Sequence, residues 1–286
     1  MAKVAILGCG YTGRALIPPL GAAGHEVVAT TTQSAHAPQI EALGAEVRVA
    51  RLEDPAALRA ALAGATRVIH LAPPDREAAP AAQVEALARV LPGGLEAYVY
   101  GSTTGAFGRP AGPEAWIDET TPPRNVTGWG KARLEYEHAL AAHGVPLRVV
   151  RIAGIYGPGR TLKDSLQSGM LLFEGGPPTS RIHVRDLARL LAAAVEDHAP
   201  PLILACDERP APTLEVARYT AELCGIALPE VVSLEEARAR LSGPALEMRL
   251  GGRRCRSVVR EALIGALEFP SYVEGVKASL QEEGVC

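Results

Sequence analysis

Gly8, Gly10 and Gly13 fall in G-x-G-x-x-G spacing, directly after the apolar run Val4–Leu7 and directly before a helix-forming stretch. That context gives each glycine a task. Gly8 permits a sharp turn, Gly10 lets backbone approach a pyrophosphate, and Gly13 lets helix and strand pack closely. The free N–H groups of Tyr11 and Thr12, with the positive end of the helix dipole, complete an anion site. The chemistry indicated is dinucleotide binding; a tight strand-to-helix turn is the plainer alternative. A second strand ends in Thr30-Thr31-Thr32-Gln33-Ser34, where this kind of site ordinarily carries an Asp or Glu for the adenosine ribose. A carboxylate there would repel a 2′-phosphate, so its absence favours NADP over NAD. Arg51, after the third strand, is the cation placed to meet that phosphate; otherwise it is a solvated strand-end arginine.

These residues need a scaffold, and strand and helix signals alternate to supply one. Strands are predicted at Val4–Leu7, His25–Thr30, Glu46–Ala50, Arg67–Ala72, Ala97–Tyr100, Pro146–Arg151 and Pro201–Ala205. Helices are predicted at Ala15–Ala23, Pro38–Leu43, Asp54–Leu62, Ala81–Leu91, Gly130–His143, Val184–Glu196, Thr213–Cys224, Leu234–Leu241 and Tyr272–Gln281. Asp54 followed by Pro55 is a good helix start. The rhythm implies an α/β fold with a doubly wound parallel sheet of about seven strands in the order 3-2-1-4-5-6-7. Residues 105–126 read as a long loop of the kind usually tied to function. The expected division is a dinucleotide-binding domain over 1–154 and 183–205, with a smaller substrate portion over 155–182 and 206–286.

Composition narrows the classes. The 286 residues are 48% hydrophobic and 21% charged, with net charge −3 and aromatics at 4%, which points away from nucleic acid and anionic membranes. The five cysteines (Cys9, Cys206, Cys224, Cys255, Cys286) include no C-x-x-C pair, so neither zinc nor a disulfide framework is indicated and a reducing cytoplasm is expected. Cys9 lies near a helix N-terminus, a place that lowers a thiol's pKa; its alternative is simple packing. No metal site, secretory leader or membrane span is read.

The chain resembles the extended short-chain dehydrogenases/reductases of the NAD-dependent epimerase/dehydratase superfamily, in an atypical form, over almost its whole length. Val68-Ile-His-Leu-Ala72 is similar to the segment that lies along the cofactor, placing Leu71 and Ala72 against it. Gly101-Ser-Thr-Thr-Gly-Ala-Phe-Gly108 resembles S-S-x-x-x-V-Y-G and puts Thr103 where the catalytic Ser or Thr belongs. Asp118-Glu-Thr-Thr-Pro-Pro123 resembles the E-x-x-P loop. Arg151-Ile-Ala-Gly-Ile-Tyr-Gly-Pro-Gly159 resembles R-x-x-N-V-Y-G-P-G, with Ala153 on the nicotinamide side. Arg181-Ile-His-Val-Arg-Asp186 resembles I-H-V-x-D.

Two departures stand out. The glycine motif is G-x-G-x-x-G rather than G-x-x-G-x-x-G. The Y-x-x-x-K motif aligns with Thr127-Gly-Trp-Gly-Lys131, so the lysine is kept and the tyrosine is a threonine. The resemblance assigns Lys131 to ribose and to catalysis, beside Thr103 and Thr127. A threonine hydroxyl is far less acidic than a phenol of pKa ~10. Replacing a positioned acid–base group typically removes about 10²–10⁴-fold in rate. Candidate substitutes are Glu119, Tyr156, or a water held by Thr103 and Thr127; Glu119, Tyr156 and Arg181 are also the candidate substrate contacts. Trp129 is read as packing under the long loop or as a lid over the nicotinamide, and His183 as structural. Two functions follow: an NAD(P)-dependent oxidoreductase or epimerase acting on a sugar nucleotide or small carbonyl, or a non-catalytic NAD(P) sensor. A homodimer is the expected assembly if there is one.

Overall fold

Seven strands form one parallel sheet: β1 (Lys3–Leu7), β2 (Glu26–Thr31), β3 (Glu46–Val49), β4 (Arg67–His70), β5 (Ala97–Thr103), β6 (Leu147–Ile152) and β7 (Leu202–Ala205). Their spatial order is β7-β6-β5-β4-β1-β2-β3, as the alternating pattern implies. This computed structural model describes residues 1–75, 77–112 and 114–285; Cys286 lies outside the described residues. Among the described residues no helix is long and apolar enough to cross a membrane, and no His, Cys, Asp or Glu group is placed to hold a metal ion.

Both sheet faces are covered. On one, α1 (Tyr11–Ala22), α2 (Ala37–Glu41) and the helix Val184–Ala194 bury Leu16, Ile40 and Leu187 against Ile6, Val99 and Val150. On the other, α3 (Pro55–Leu62), α4 (Pro80–Ala88) and α5 (Gly128–Ala142) bury Leu58, Val84 and Leu140 against Leu7, Tyr98 and Tyr100. Each such aliphatic side chain contributes about 1.5–3 kcal/mol by leaving water. The Asp54 carboxylate caps α3 as its sequence suggests, accepting from the Ala56 and Ala57 N–H groups at 3.1 and 3.0 Å.

β5 is longer than the apolar run Ala97–Tyr100. Gly101, Ser102 and Thr103 continue the ladder opposite Val150, Arg151 and Ile152 of β6, which carries Thr103 to the strand's carboxyl end. The span expected to be structureless also holds a 3₁₀ turn, Thr104–Phe107, and a short strand, Trp116–Ile117, paired with Arg254–Cys255. Similar short pairs join Gly154–Tyr156 to Arg181–His183 and Leu172–Phe173 to Val231–Val232. The pattern also misses helices at Lys163–Gln167, Gly243–Leu250 and Arg260–Ile264. Lys163–Gln167 and Arg260–Ile264, at five residues each, are too short to show a helical period.

A buried polar cluster joins β5, β6 and α5. Arg151 donates to both carboxylate oxygens of Glu137, at 3.2 and 2.7 Å, and Ser102 donates its hydroxyl to the same carboxylate. The Arg151 guanidinium also lies 4.4 Å from the centre of the Phe107 ring. Glu137→Ala leaves a buried arginine without its counter-charge and is expected to cost about 3–5 kcal/mol in urea unfolding. Loss of under 1 kcal/mol would show that the cluster does not anchor α5.

Candidate dinucleotide site

The turn after β1 is held by Thr30. The Gly8 N–H donates to Thr30 Oγ1 at 2.9 Å, Thr30 Oγ1 donates to the Ile6 carbonyl at 3.2 Å, and the Cys9 N–H donates to the Thr30 carbonyl at 2.7 Å. Gly8 has φ +86°, and a Cβ there would sit 2.7 Å from the Ala72 nitrogen. Gly13 faces Cys9, whose sulfur would lie 3.1 Å from an added Cβ. Gly10 differs: a Cβ there would meet nothing within 4 Å. Its α-carbon therefore faces open space in front of α1, whose first turn no side chain caps among the described residues. Uncapped first-turn N–H groups beside a bare α-carbon are what a diphosphate requires. Burial pushes the Cys9 thiol up to about 11, opposite to the lowering that a helix N-terminus alone would give, so Cys9 packs as a thiol.

The flanks of the turn are built from neighbouring strand ends. Leu71 and Ala72 both donate their N–H groups to the Leu7 carbonyl, at 2.9 and 3.1 Å. Behind them His70 is buried, its Nδ1 2.7 Å from the Tyr98 hydroxyl, and burial drives its pKa down to about 3. It is neutral and structural. Thr31 Oγ1 accepts from the Gln33 N–H at 3.2 Å and Thr32 is exposed. Arg51 follows Ala50, whose N–H donates to the Thr31 carbonyl at 3.0 Å. The Arg51 side chain is 73% exposed and only 3.7 Å from Glu53, a pair weak enough to yield to a phosphate. Tyr11 reaches across and donates its hydroxyl to the Pro158 carbonyl at 3.0 Å, tying the turn to the loop after β6. Ala153 is buried at the start of that loop, its N–H on the Ala205 carbonyl at 2.9 Å.

Two glycines set the start of α5, which bears Thr127 and Lys131, against the turn that follows Thr103. A Cβ on Gly130 would lie 2.2 Å from the Gly105 carbonyl oxygen, so the start of α5 is pressed against the 3₁₀ turn that Thr103 caps. Thr103 Oγ1 accepts from the Gly105 N–H at 3.1 Å, leaving its proton to donate. Thr127 precedes α5 with extended backbone and an exposed hydroxyl that caps nothing. Lys131 Nζ is 3.7 Å from Glu135 and its side chain is 65% exposed.

The three expected substrate contacts are bonded inside the protein. Glu119 accepts from the Leu204 and Val258 N–H groups, at 3.0 and 2.9 Å, and from the Ser257 hydroxyl. It clips edge strand β7 to a distant loop. Tyr156 is buried, donates to the Ser271 carbonyl at 3.0 Å, and burial raises its phenol far above its usual range. Arg181 donates to the Thr179 and Ala211 carbonyls at 2.8 and 2.9 Å. His183 caps the helix Val184–Ala194, its Nδ1 accepting from the Arg185 N–H at 3.2 Å. Trp129 is 46% exposed.

Other residues near the site carry no sequence signal. Arg133 donates to the Gly101 carbonyl at 2.8 Å and to the Tyr100 hydroxyl at 3.2 Å, holding α5 on the end of β5. Glu247, on the helix Gly243–Leu250, brings its carboxylate within 3.6 Å of the point a Cβ on Gly128 would occupy.

A family model described as NAD(P)H-binding matches residues 8–198. The chain belongs to that NAD(P)H-binding family. Its fold is shared with solved structures described as epimerases. A functionally unknown conserved protein from Silicibacter pomeroyi DSS is 31% identical, with 99% of each chain covered and a TM-score of 0.80. The same fold is seen in the human epimerase family protein SDR39U1 solved with NADPH, at 20% identity and TM-score 0.76 over 98% of this chain and 99% of that one. It is seen again in the Bordetella bronchiseptica enzyme WbmH solved with NAD⁺, at 18% identity and TM-score 0.75 over 100% of both chains. No curated protein matches the sequence.

The glycines of this NAD(P)H-binding chain separate fold from binding. Gly10→Ala has room in the protein and a φ of −91°, outside the left-handed region. Its melting temperature is expected to stay at the wild-type value while the calorimetric Kd for NADP rises at least about tenfold, a loss of ~1.4 kcal/mol. Gly8→Ala combines left-handed strain with a backbone clash and is expected to unfold about 2–4 kcal/mol more easily. Unchanged NADP affinity in Gly10→Ala would remove the diphosphate from this turn.

Proposed function

We propose that the protein is an NADP-preferring oxidoreductase or epimerase acting on a small carbonyl compound or a sugar nucleotide. The observation that supports this reading is the Gly105–Gly130 contact, which sets the start of α5, bearing Thr127 and Lys131, against the turn that follows Thr103. Preference for NADP rests on the exposed Arg51 and on the lack of a carboxylate over Thr30–Ser34. A bound nicotinamide supplies hydride transfer. The chain's own residues have the remaining work. The first turn of α1 fixes the diphosphate, the Lys131 ammonium donates to ribose hydroxyls and favours negative charge nearby, and the hydroxyls of Thr103 and Thr127 hold a water that moves the substrate proton. Glu119 and Tyr156 take no part, because their polar atoms are bonded in the fold.

A second reading, a sensor that binds the dinucleotide without turnover, is favoured by Thr127 standing where the family has a tyrosine. The two separate in one assay. The full chain is mixed with 4-deuterated NADPH and a panel of aldehydes and ketones, and separately with NADP⁺ and carbinol-deuterated UDP-sugars, and deuterium transfer between substrate and cofactor is followed by mass spectrometry. The enzyme reading expects transfer in the native protein and a loss of about 10²-fold or more in Lys131→Ala. Binding without transfer in the native protein, with transfer appearing in Thr127→Tyr, is the sensor's result. Transfer that is indifferent to Lys131→Ala would sink the assignment of the site.

A further inference from the structure

The 105–126 segment holds a cavity that shares no residue with the glycine turn. Its volume is about 170 Å³, and its walls include Phe107, Pro110, Trp116 and Pro122, with Arg109 and Arg124 also lining it. An apolar cavity of about 150 Å³ accommodates benzene, so this one has room for a single six-membered ring. Trp116, 45% exposed, offers such a ring an aromatic face.

The two arginines are locked side by side. The Arg109 N–H donates to the Arg124 carbonyl and the Arg124 N–H donates to the Phe107 carbonyl, both at 2.9 Å. Both residues are exposed, and neither guanidinium has a hydrogen-bond or ion-pair partner among the described residues. The neighbouring acids are taken: Glu114 pairs with Arg254 at 3.0 Å, and Asp118 Oδ1 accepts from Thr120 and Thr121. Arg253, donating to the Gly108 carbonyl at 2.6 Å, adds further positive charge. Like charges on two backbone segments paired this way repel, and an oxyanion between two guanidinium forks reverses that cost.

We infer that the cavity bounded by Arg109, Arg124 and Trp116 is a second binding site, for a monocyclic molecule bearing a carboxylate or phosphate. The ring fills the apolar cavity and the oxyanion is chelated by the two arginines. The inference does not depend on the reaction proposed above. Phenyl phosphate, benzoate, benzyl alcohol and inorganic phosphate are titrated into the full chain by calorimetry, and Trp116 emission is followed in Trp129→Phe. Phenyl phosphate or benzoate is expected to saturate and to alter Trp116 emission, with the same affinity whether or not NADP is present. The alcohol and the inorganic ion should each bind at least about tenfold more weakly than the better acid. Arg109→Gln with Arg124→Gln should weaken that acid at least about tenfold while leaving NADP affinity unchanged; unchanged NADP affinity also reports a folded variant, and either single substitution should act in the same direction. The site is refuted if neither acid saturates, if NADP displaces the bound acid, or if the arginine variants bind it like wild type. Benzyl alcohol matching the acids would refute the oxyanion clamp, and inorganic phosphate matching them would refute the ring cavity.

Discussion

The ion pair between Arg151 and Glu137 is the constraint on which the placement of α5 against β5 and β6 depends. Both side chains are buried, and a guanidinium taken out of water is tolerable only with a counter-charge and satisfied N–H groups. Meeting that condition fixes the position of α5, because Glu137 sits on its buried face while Arg151 belongs to β6. Ser102 adds β5 to the same cluster, and Phe107 covers the guanidinium from the following turn. With the helix fixed, Gly130 meets Gly105 backbone to backbone, and Thr127 and Lys131 come to the strand end that carries Thr103. Arg133 reinforces the same placement through the Gly101 carbonyl.

The binding end of the molecule rests on different forces. There the backbone does the work, through the left-handed turn at Gly8, the bare α-carbon of Gly10 and the uncapped amides of α1. Thr30 holds that turn to the adjoining strand with one hydroxyl that accepts and donates. Because these requirements are local, they were legible: three glycines between an apolar run and a helix can satisfy few other structures. Strand order was legible for a related reason, since alternating strands and helices leave little choice of winding.

The rest of the site was not readable in the same way. Glu119 looks like a free loop carboxylate in sequence, yet both its oxygens accept hydrogen bonds from Leu204, Ser257 and Val258, far along the chain. Tyr156 and Arg181 are likewise bonded to segments that no local pattern connects to them. The Trp116–Ile117 strand escaped notice because its partner is Arg254–Cys255 and a two-residue strand has no alternation to detect. Glu247 reaches Gly128 from a short helix near the other end of the chain. Sequence reasoning thus located the glycine turn and the strands around it, and misjudged side chains whose partners are supplied by tertiary folding.

The central claim is that one dinucleotide lies from the glycine turn to the start of α5. Amide hydrogen exchange of the full chain, with and without NADP, tests it most directly. Slowed exchange is expected over Gly10–Gly13, over Thr31–Gln33 and over Thr127–Lys131, with the remote helix Leu234–Arg240 unchanged. Unaltered exchange at Gly10–Gly13 under saturating NADP, or protection confined to segments away from these three, would contradict the account.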